Sequence, residues 1–391
     1  MAKKKIEKDS RKGIPGATKL KLWVKSGGRC EFKHCNKIVY EHDLTLSDGN
    51  FADVAHIIGA KKNGPRGNEN SEKLQVDYSN LLLLCKACHK DIDIYEEQYG
   101  AEKLRRWKAE HEERIAMLTG ISPEIPRSTI LMFQINIGDR IIGISNESIF
   151  SAMFNMQPPK FPLDKKGIRI VENDFDIKSP DMKYWQKFGE TKIKNRIRRH
   201  LEEDLEGNRP KHFSIFAIGP MPLLVYLGMV IGDTIQANIF HSNRKIEDTN
   251  KTWTWPLDST DAFPKFSSLN LIKKQTSKVA ILVALSDTIN TEQYSDYIDN
   301  GYSIYRLTVE EPNIHLIQSP MQIEEFSKVY RNLLNEIQKE HGVDSEIHIL
   351  PAMPASIAVE CGRVLIPTKE SGIFVAQIQA DKRFRTVLQI L

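Results

Sequence analysis

Apolar and polar positions along this chain follow two different textures, and the change falls between residues 119 and 128. Before it, apolar runs are short and set among lysines and glycines. Residues 16–26 predict a short helix stopped by Gly27-Gly28. Residues 38–58 hold two strand-like runs, IVY and FADVAHII, divided by the turn signal Ser47-Asp48-Gly49-Asn50. After a polar loop come Asn80 to Leu84, a helix beginning near Cys88, and a highly charged helical stretch over 95–118 with Leu104, Trp107, Ile115 and Leu118 available for packing. The order is strand, strand, helix.

The segment TGISPEIPRS (119–128) has two prolines and no period, which predicts a linker. Beyond it, apolar strand runs (TILMFQINI, RIIGI, IRIV, HFSIFAI, TIQANIF, KVAILVAL, YSIYRLTV, SEIHIL, GIFVAQI) alternate with helical runs that include 181–206 and 321–341. That alternation predicts an α/β region with mainly parallel sheet. It also contains a weak repeat. FSIFAIGPMPLLVYLGMVI (213–231) aligns without gaps on IHILPAMPASIAVECGRVL (347–365), with five identities in nineteen positions. Each copy runs strand, Pro-containing turn, helix with an internal glycine: Pro220 with Gly228, Pro354 with Gly362. Two similar halves facing each other suit a ligand that is itself nearly two-fold.

The length of 391 residues suggests two or three units, and 40% hydrophobic content allows a real core. No apolar run approaches the ~18 residues of a membrane span, and the basic N-terminus lacks the apolar stretch of a secretory signal. A cytoplasmic protein without a membrane partner is expected. The formal charge of +4 is uneven: residues 1–40 carry twelve Lys or Arg against three acids. A basic arm of that kind suits contact with phosphates.

Four of the five cysteines fall in two close pairs, Cys30-x4-Cys35 and Cys85-x2-Cys88. Four thiolates so spaced predict a structural, tetrahedral Zn²⁺, with His34 as a substitute ligand, able to hold together a unit with little core of its own. Cys361 sits in an apolar run and reads as core. Between the knuckles stands His56, an imidazole suited to take a proton from water near neutral pH. Asn80 and His89 flank the second pair.

Together GGRC-EFKH-C, DVAHII and NLLLLCKACH resemble the HNH nuclease motif with its ββα-metal core. The resemblance implies His56 as general base, Asn80 as the residue that orients it through a hydrogen bond, and His89 as a ligand to a catalytic divalent cation such as Mg²⁺. Many members have an Asp or His ligand directly before the base, where this chain has Ala55. Asp53, on the same face of an ideal strand as position 55, is expected to supply that carboxylate, with Asp93, at i+4 from His89, as a second choice.

The last 265 or so residues resemble the SAVED domain of bacterial anti-phage (CBASS) effectors, above all in IHILPAMPASIAVECGRVLIP (347–367) and WTWP (253–256). This implies two fused CARF or Rossmann-like halves that bind a cyclic dinucleotide made by a partner synthase. Binding then drives homo-oligomerisation, to a dimer or tetramer, and non-specific degradation of double-stranded DNA by the paired HNH units. The expected organisation is an HNH unit over 1–120, a linker over 121–128, and a SAVED unit over 129–391 with halves near 129–262 and 263–391.

Ligands of open α/β sheets lie beyond the carboxyl ends of the strands, which points to Pro220, Met221, Pro354 and Ala355. Trp253 and Trp255 are expected to share a strand face and stack on a base, and Arg363 to reach a phosphate. No G-x-G-x-x-G fingerprint is present, which argues against an NAD enzyme. The contrasting expectation is a non-catalytic zinc-knuckle DNA-binding regulator with a small-molecule sensor.

Overall fold

The computed structural model describes residues 12–391 except 43, 121–123, 137–142, 157, 164–166, 203–210, 244–251, 257–263 and 371. The chain forms two compact units, Met1–Glu124 and Ile125–Leu391.

In the first unit, α1 (Gly16–Lys25) ends where Gly27 and Gly28 take φ of +62° and +65° and the Gly28 N–H returns to the Trp23 carbonyl at 3.0 Å. This is the glycine stop that the sequence predicts. Strand β1 (Ala52–His56) leads through α2 (Ser71–Leu74) to β2 (Leu81–Cys85), with which it pairs antiparallel. Helix α3 (Lys86–Ile94) follows without a break, and α4 (Ala101–Thr119) closes the unit. Leu81 to Leu84 are all buried, with Leu22, Ala55, Ile57, Ile92, Leu104 and Trp107 around them. Because β2 is covered on both faces, its sequence is a continuous apolar run instead of an alternation.

Residues 38–40 do not form the strand expected of them. Ile38 makes only an isolated bridge to Arg29, and the strands that pair come from the FADVAHII and NLLLL runs. The cause is local. His34 and Asn36 take φ of +68° and +51°, folding the first knuckle back so that the Cys30 N–H meets the Lys37 carbonyl at 2.9 Å.

The second unit has two lobes. The first contains β3 (Arg127–Ile135), α5 (Asn146–Phe154), β4 (Phe161–Pro162), β5 (Ile168–Glu172), α6 (Met182–Phe188), a π-helical segment (Gly189–Lys194), α7 (Asn195–Glu202), β6 (His212–Ile218), α8 (Met221–Ile231) and β7 (Gln236–Ile239). Its sheet has the order β4-β3-β6-β7, with β5 also on β3, and every pairing is parallel. Arg127 and Ser128, expected in the linker, are the first residues of β3, where Arg127 pairs with Phe161. Residues 121–123 of that linker and most of the RIIGI run lie outside the described residues.

The second lobe contains β8 (Ser267–Ile272), β9 (Lys278–Ala284), β10 (Ser303–Thr308), α9 (Pro320–His341), β11 (Glu346–Ala352), α10 (Ala355–Val364), β12 (Ile373–Ile378) and β13 (Phe384–Gln389). The sheet order is β13-β12-β11-β9-β10-β8, parallel within and closed by antiparallel β8 and β13 at its edges.

The lobes meet through α8 and α10, the two helices of the sequence repeat. A Cβ on Gly228 would stand 1.9 Å from the Val359 carbonyl oxygen, and one on Gly362 would stand 1.9 Å from that of Val225. The contact is reciprocal: each glycine admits the backbone of the other helix. Repeat copies related in sequence are thus related in space by an approximate two-fold through this crossing. One apolar cluster joins both lobes around it, including Leu224, Tyr226, Phe326, Tyr330, Ile357 and Val359.

Candidate functional site

The four cysteines of the first unit converge. One sulfur from each of Cys30, Cys35, Cys85 and Cys88 lies within 4.8 Å of the others, and Cys35 Sγ is 4.0 Å from Cys85 Sγ. A tetrahedral zinc with Zn–S bonds near 2.3 Å needs sulfur–sulfur edges of about 3.8 Å, so the cluster fits that ion. Its electrostatics point the same way. Burial pushes the Cys30 thiol up to about 12 and also raises Cys88, whose neighbouring sulfurs add like-charge repulsion. At Cys85 burial opposes ionisation, but hydrogen bonds from the Cys88 amide and the other thiols outweigh it and lower the pKa. Four thiolates cannot coexist here without a cation among them.

His56 ends β1 and is half-buried. Its Nε2 lies 3.0 Å from the carbonyl oxygen of Gln75. A carbonyl only accepts, so Nε2 bears a hydrogen, and in the neutral ring Nδ1 then carries the lone pair. Gln75, only 3% exposed, holds more than the ring: its amide donates to the Ala60 carbonyl at 2.9 Å, and its Oε1 accepts from the Lys12 N–H at 3.0 Å. Lys12, Lys19, His56 and Gln75 line a pocket of about 180 Å³.

Asn80 is buried and does not touch the His56 ring. Its Oδ1 accepts from the Ile58 N–H at 2.8 Å, while its Nδ2 donates to the carbonyls of Ile58 and Leu74 at 2.9 and 3.2 Å. The expected side-chain hydrogen bond to the base is therefore replaced by a clamp on the backbone just after it. Both Nδ2 hydrogens are spent on main-chain carbonyls, so the carboxamide has no donor left for the imidazole.

Asp53 and His89 come together, with Asp53 Oδ2 3.1 Å from His89 Nδ1. Asp93 approaches the other ring nitrogen, its Oδ2 lying 3.5 Å from Nε2. Asp93 is also bound by Arg66, whose Nη2 stands 2.8 Å from Oδ1. Asp53 and His89 are a donor pair that fits a divalent cation. Asp93 fits less well, because a guanidinium already neutralises it.

Arg66 is the residue that sequence reasoning misses. Its side chain is 6% exposed. Nε donates to the Ile57 carbonyl at 2.9 Å, Nη2 to the His56 carbonyl at 3.2 Å, and Nη1 to the Ile92 carbonyl. One planar fork thus ties the end of β1 to α3, the elements that carry His56 and His89. Its backbone φ of +54° is unusual for a non-glycine residue. The only signal in the sequence is an arginine between two glycine-rich turns, which ordinarily marks a solvated loop.

In the second unit Pro220 and Pro354 precede the first turns of α8 and α10, at the carboxyl ends of β6 and β11. Met221 and Ala355 begin those helices, and both pack partly against the shared core. At the same end His241 Nδ1 lies 3.0 Å from Ser356 Oγ, a link between lobes that the sequence does not announce.

Two expectations fail here. Trp253 and Trp255 do not share a strand face. Trp253 lies in a turn, 2% exposed, packed edge-on to Phe216 at 5.4 Å, whereas Trp255 packs against the other apolar cluster. A buried indole cannot stack on an incoming base. Arg363 does not point to a phosphate: it is 9% exposed and donates to the carbonyls of Gly232 and Ile235 at 3.0 and 2.9 Å and to Glu360 at 3.2 Å. It pins α10 to the turn after α8.

These features define the second unit as a two-lobed α/β domain fused about a pseudo-two-fold helix pair. Residues 193–390 match the SAVED family, the SMODS-associated and fused to various effectors sensor domain, and the chain belongs to that family. No curated protein shows a significant match. Among solved structures, a Cap4 SAVED/CARF-domain containing receptor from Acinetobacter baumannii with the cyclic trinucleotide 2′3′3′-cAAA is 13% identical, with a TM-score of 0.42 over 82% of this chain and 66% of that one. The same receptor with 3′3′3′-cAAA is 12% identical with a TM-score of 0.42, again over 82% and 66%. The Moraxella osloensis Cap4 receptor is 11% identical, with a TM-score of 0.37 over 83% and 66%. This chain thus spans slightly less than two thirds of each of those proteins. Among the described residues, no helix is long and apolar enough to cross a membrane.

Proposed function

We propose that this protein is a CBASS effector: a DNA endonuclease of the HNH type whose SAVED unit binds a cyclic dinucleotide, the signal for oligomerisation and for degradation of double-stranded DNA. The observation that carries the nuclease reading is the pairing of His56, gripped through Nε2 by the Gln75 carbonyl, with Asp53 and His89 joined at 3.1 Å from β1 to α3.

His56 Nδ1 takes a proton from water as the water oxygen attacks phosphorus. The bond from phosphorus to the 3′ oxygen breaks, and the leaving oxygen departs with the electron pair. Hydrogen bonding from Nε2–H to the Gln75 carbonyl favours the imidazolium that results. Asn80 and Arg66 keep the backbone around His56 from shifting. Asp53 and His89 would hold the Mg²⁺, which supplies charge stabilisation to the phosphate.

Two features support the sensor part of the reading: membership of a sensor-domain family, and the reciprocal Gly228–Gly362 crossing that relates the α8 and α10 N-termini by a near two-fold. A cyclic dinucleotide has two phosphates in the same relation, and helix N-termini favour phosphate.

The test is plasmid cleavage in Mg²⁺ with and without cyclic dinucleotide. Cleavage is expected only with the nucleotide, and His56→Ala should slow it by about 10²–10⁴-fold. Equal DNA retardation by both proteins with no cutting would leave a DNA-binding regulator in place of an enzyme.

A further inference from the structure

Helix α6, the π segment and α7 form one continuous rod over Met182–Glu202. Its buried large apolar side chains are Trp185, Phe188, Ile193 and Ile197, and Gly189 is buried beside Phe188. The steps are three, then five, then four. An uninterrupted α-helix steps by three or four, and from Phe188 that step would turn Thr191 or Lys192 into the core. The π turn adds the extra residue and so brings Ile193 inward and Lys192 outward. Lys192, Arg196 and Arg199 then follow at i, i+4 and i+7 on one face. With Arg169 and Glu172 of β5 they line an open cleft of about 370 Å³. π turns are costly interruptions that recur at functional sites.

The cleft is cationic. Among the described residues four basic side chains face one carboxylate, Glu172, which lies 3.3 Å from Lys192 Nζ. The rod as a whole carries seven Lys or Arg against two Glu, along a length of about 32 Å. Among the described residues the one ring lining the cleft is Phe188, which is 9% exposed and packed edge-on to Phe175 at 4.7 Å. A nucleobase would find no open aromatic face to stack on, whereas a run of phosphates would find charge in a line.

We propose that the cleft between β5 and the π–α7 rod contacts the sugar–phosphate backbone of duplex DNA. The inference rests on the reading of duplex DNA as substrate, and it adds that the sensor unit itself grips that substrate.

The test measures binding alone, with full-length His56→Ala protein and no added Mg²⁺. A fluorescent duplex of about 30 base pairs is titrated by anisotropy between about 50 and 200 mM salt. Lys192→Glu with Arg196→Glu should weaken binding about tenfold and flatten the plot of log K against log salt by about two units, one for each lost phosphate contact. Lys192→Gln with Arg196→Gln, which removes charge without reversing it, should show a smaller shift in the same direction and keeps the test readable if the reversed pair misfolds. Unchanged affinity and slope in well-folded variants would overturn the proposal. So would tight inorganic triphosphate binding that the variants abolish while duplex affinity stays the same, since the cleft would then be a small-anion site. If the unmutated chain never cuts DNA yet the tenfold loss of binding is seen, the nuclease reading fails and the cleft assignment stands.

Discussion

The two units solve the problem of holding reactive groups in place by different means. Among its described residues the first has two strands of five residues and one small apolar cluster, and its first knuckle is a turn with left-handed residues and little core. Order there comes from polar devices: a four-cysteine cluster, a buried guanidinium and a buried carboxamide. In the second, a contiguous core runs from Leu131 to Ile390 through both lobes, and position is set by packing across two glycines. A unit that cannot bury enough apolar surface needs directional bonds or metal. A larger one can rely on close-packed shape.

The contrast can be broken most forcefully at the cysteines. Treatment with a zinc chelator, or Cys85→Ser, should unfold the first unit, because a structural zinc held by the four cysteines would contribute about 10–16 kcal/mol that this small core cannot replace. Limited proteolysis is expected to degrade residues 1–124 and spare 125–391. A first unit that stays resistant after chelation would refute the zinc assignment.

Gly228→Ala or Gly362→Ala should do the converse. Each new Cβ meets backbone, which has no rotamer to escape into, so a loss of at least about 3 kcal/mol in denaturant melts of the second unit is expected. The first unit should be unaffected, and near-normal stability of either variant would show that the helices do not cross so closely.

Acid gives a third contrast. Burial, helped by the nearby charges of Lys160 and Arg363, pushes His212 down to about 4, and its Nδ1 lies 2.8 Å from Ser128 Oγ. The folded pKa lies below the unfolded value, so the unfolded chain binds the proton first. The stabilising contribution of neutral His212 is whole above about pH 6.5 and fades as pH falls toward 4, up to about 3 kcal/mol. His212→Gln should flatten the acid limb of the second unit's stability curve, and an unchanged limb would remove His212 as its cause.

The smallest effect is expected at Arg66. Arg66→Met leaves the carbonyls of residues 56, 57 and 92 and the Asp93 carboxylate without their donor, at a cost of about 2 kcal/mol. Nuclease activity should fall further than stability does, with Arg66→Lys restoring stability more than rate. Equal recovery of both would make Arg66 a purely structural residue.

Much of the frame was legible in advance because its signals are local. The glycine stop after α1, the strand–helix alternation and the long α9 all follow from spacing within a few residues. The repeat was legible for another reason: Gly228 and Gly362 keep the same offset from Pro220 and Pro354, since each must admit the other helix. Where local signals misled, long-range packing had overridden them. Ile38–Tyr40 has strand composition but is drawn into the knuckle turn, and the alternating tryptophans look like a strand face until Trp253 is seen packed on Phe216.

By itself the sequence determined the two cysteine pairs, the α/β alternation and the strand–turn–helix repeat, because each depends on period or spacing along the chain. Only tertiary structure decided that Arg66 and Gln75 brace His56, that Arg363 serves as an internal clamp, and that a π turn swings Lys192 out beside β5. Those roles depend on which distant backbone groups arrive within about 3 Å, and no local pattern encodes such an arrival.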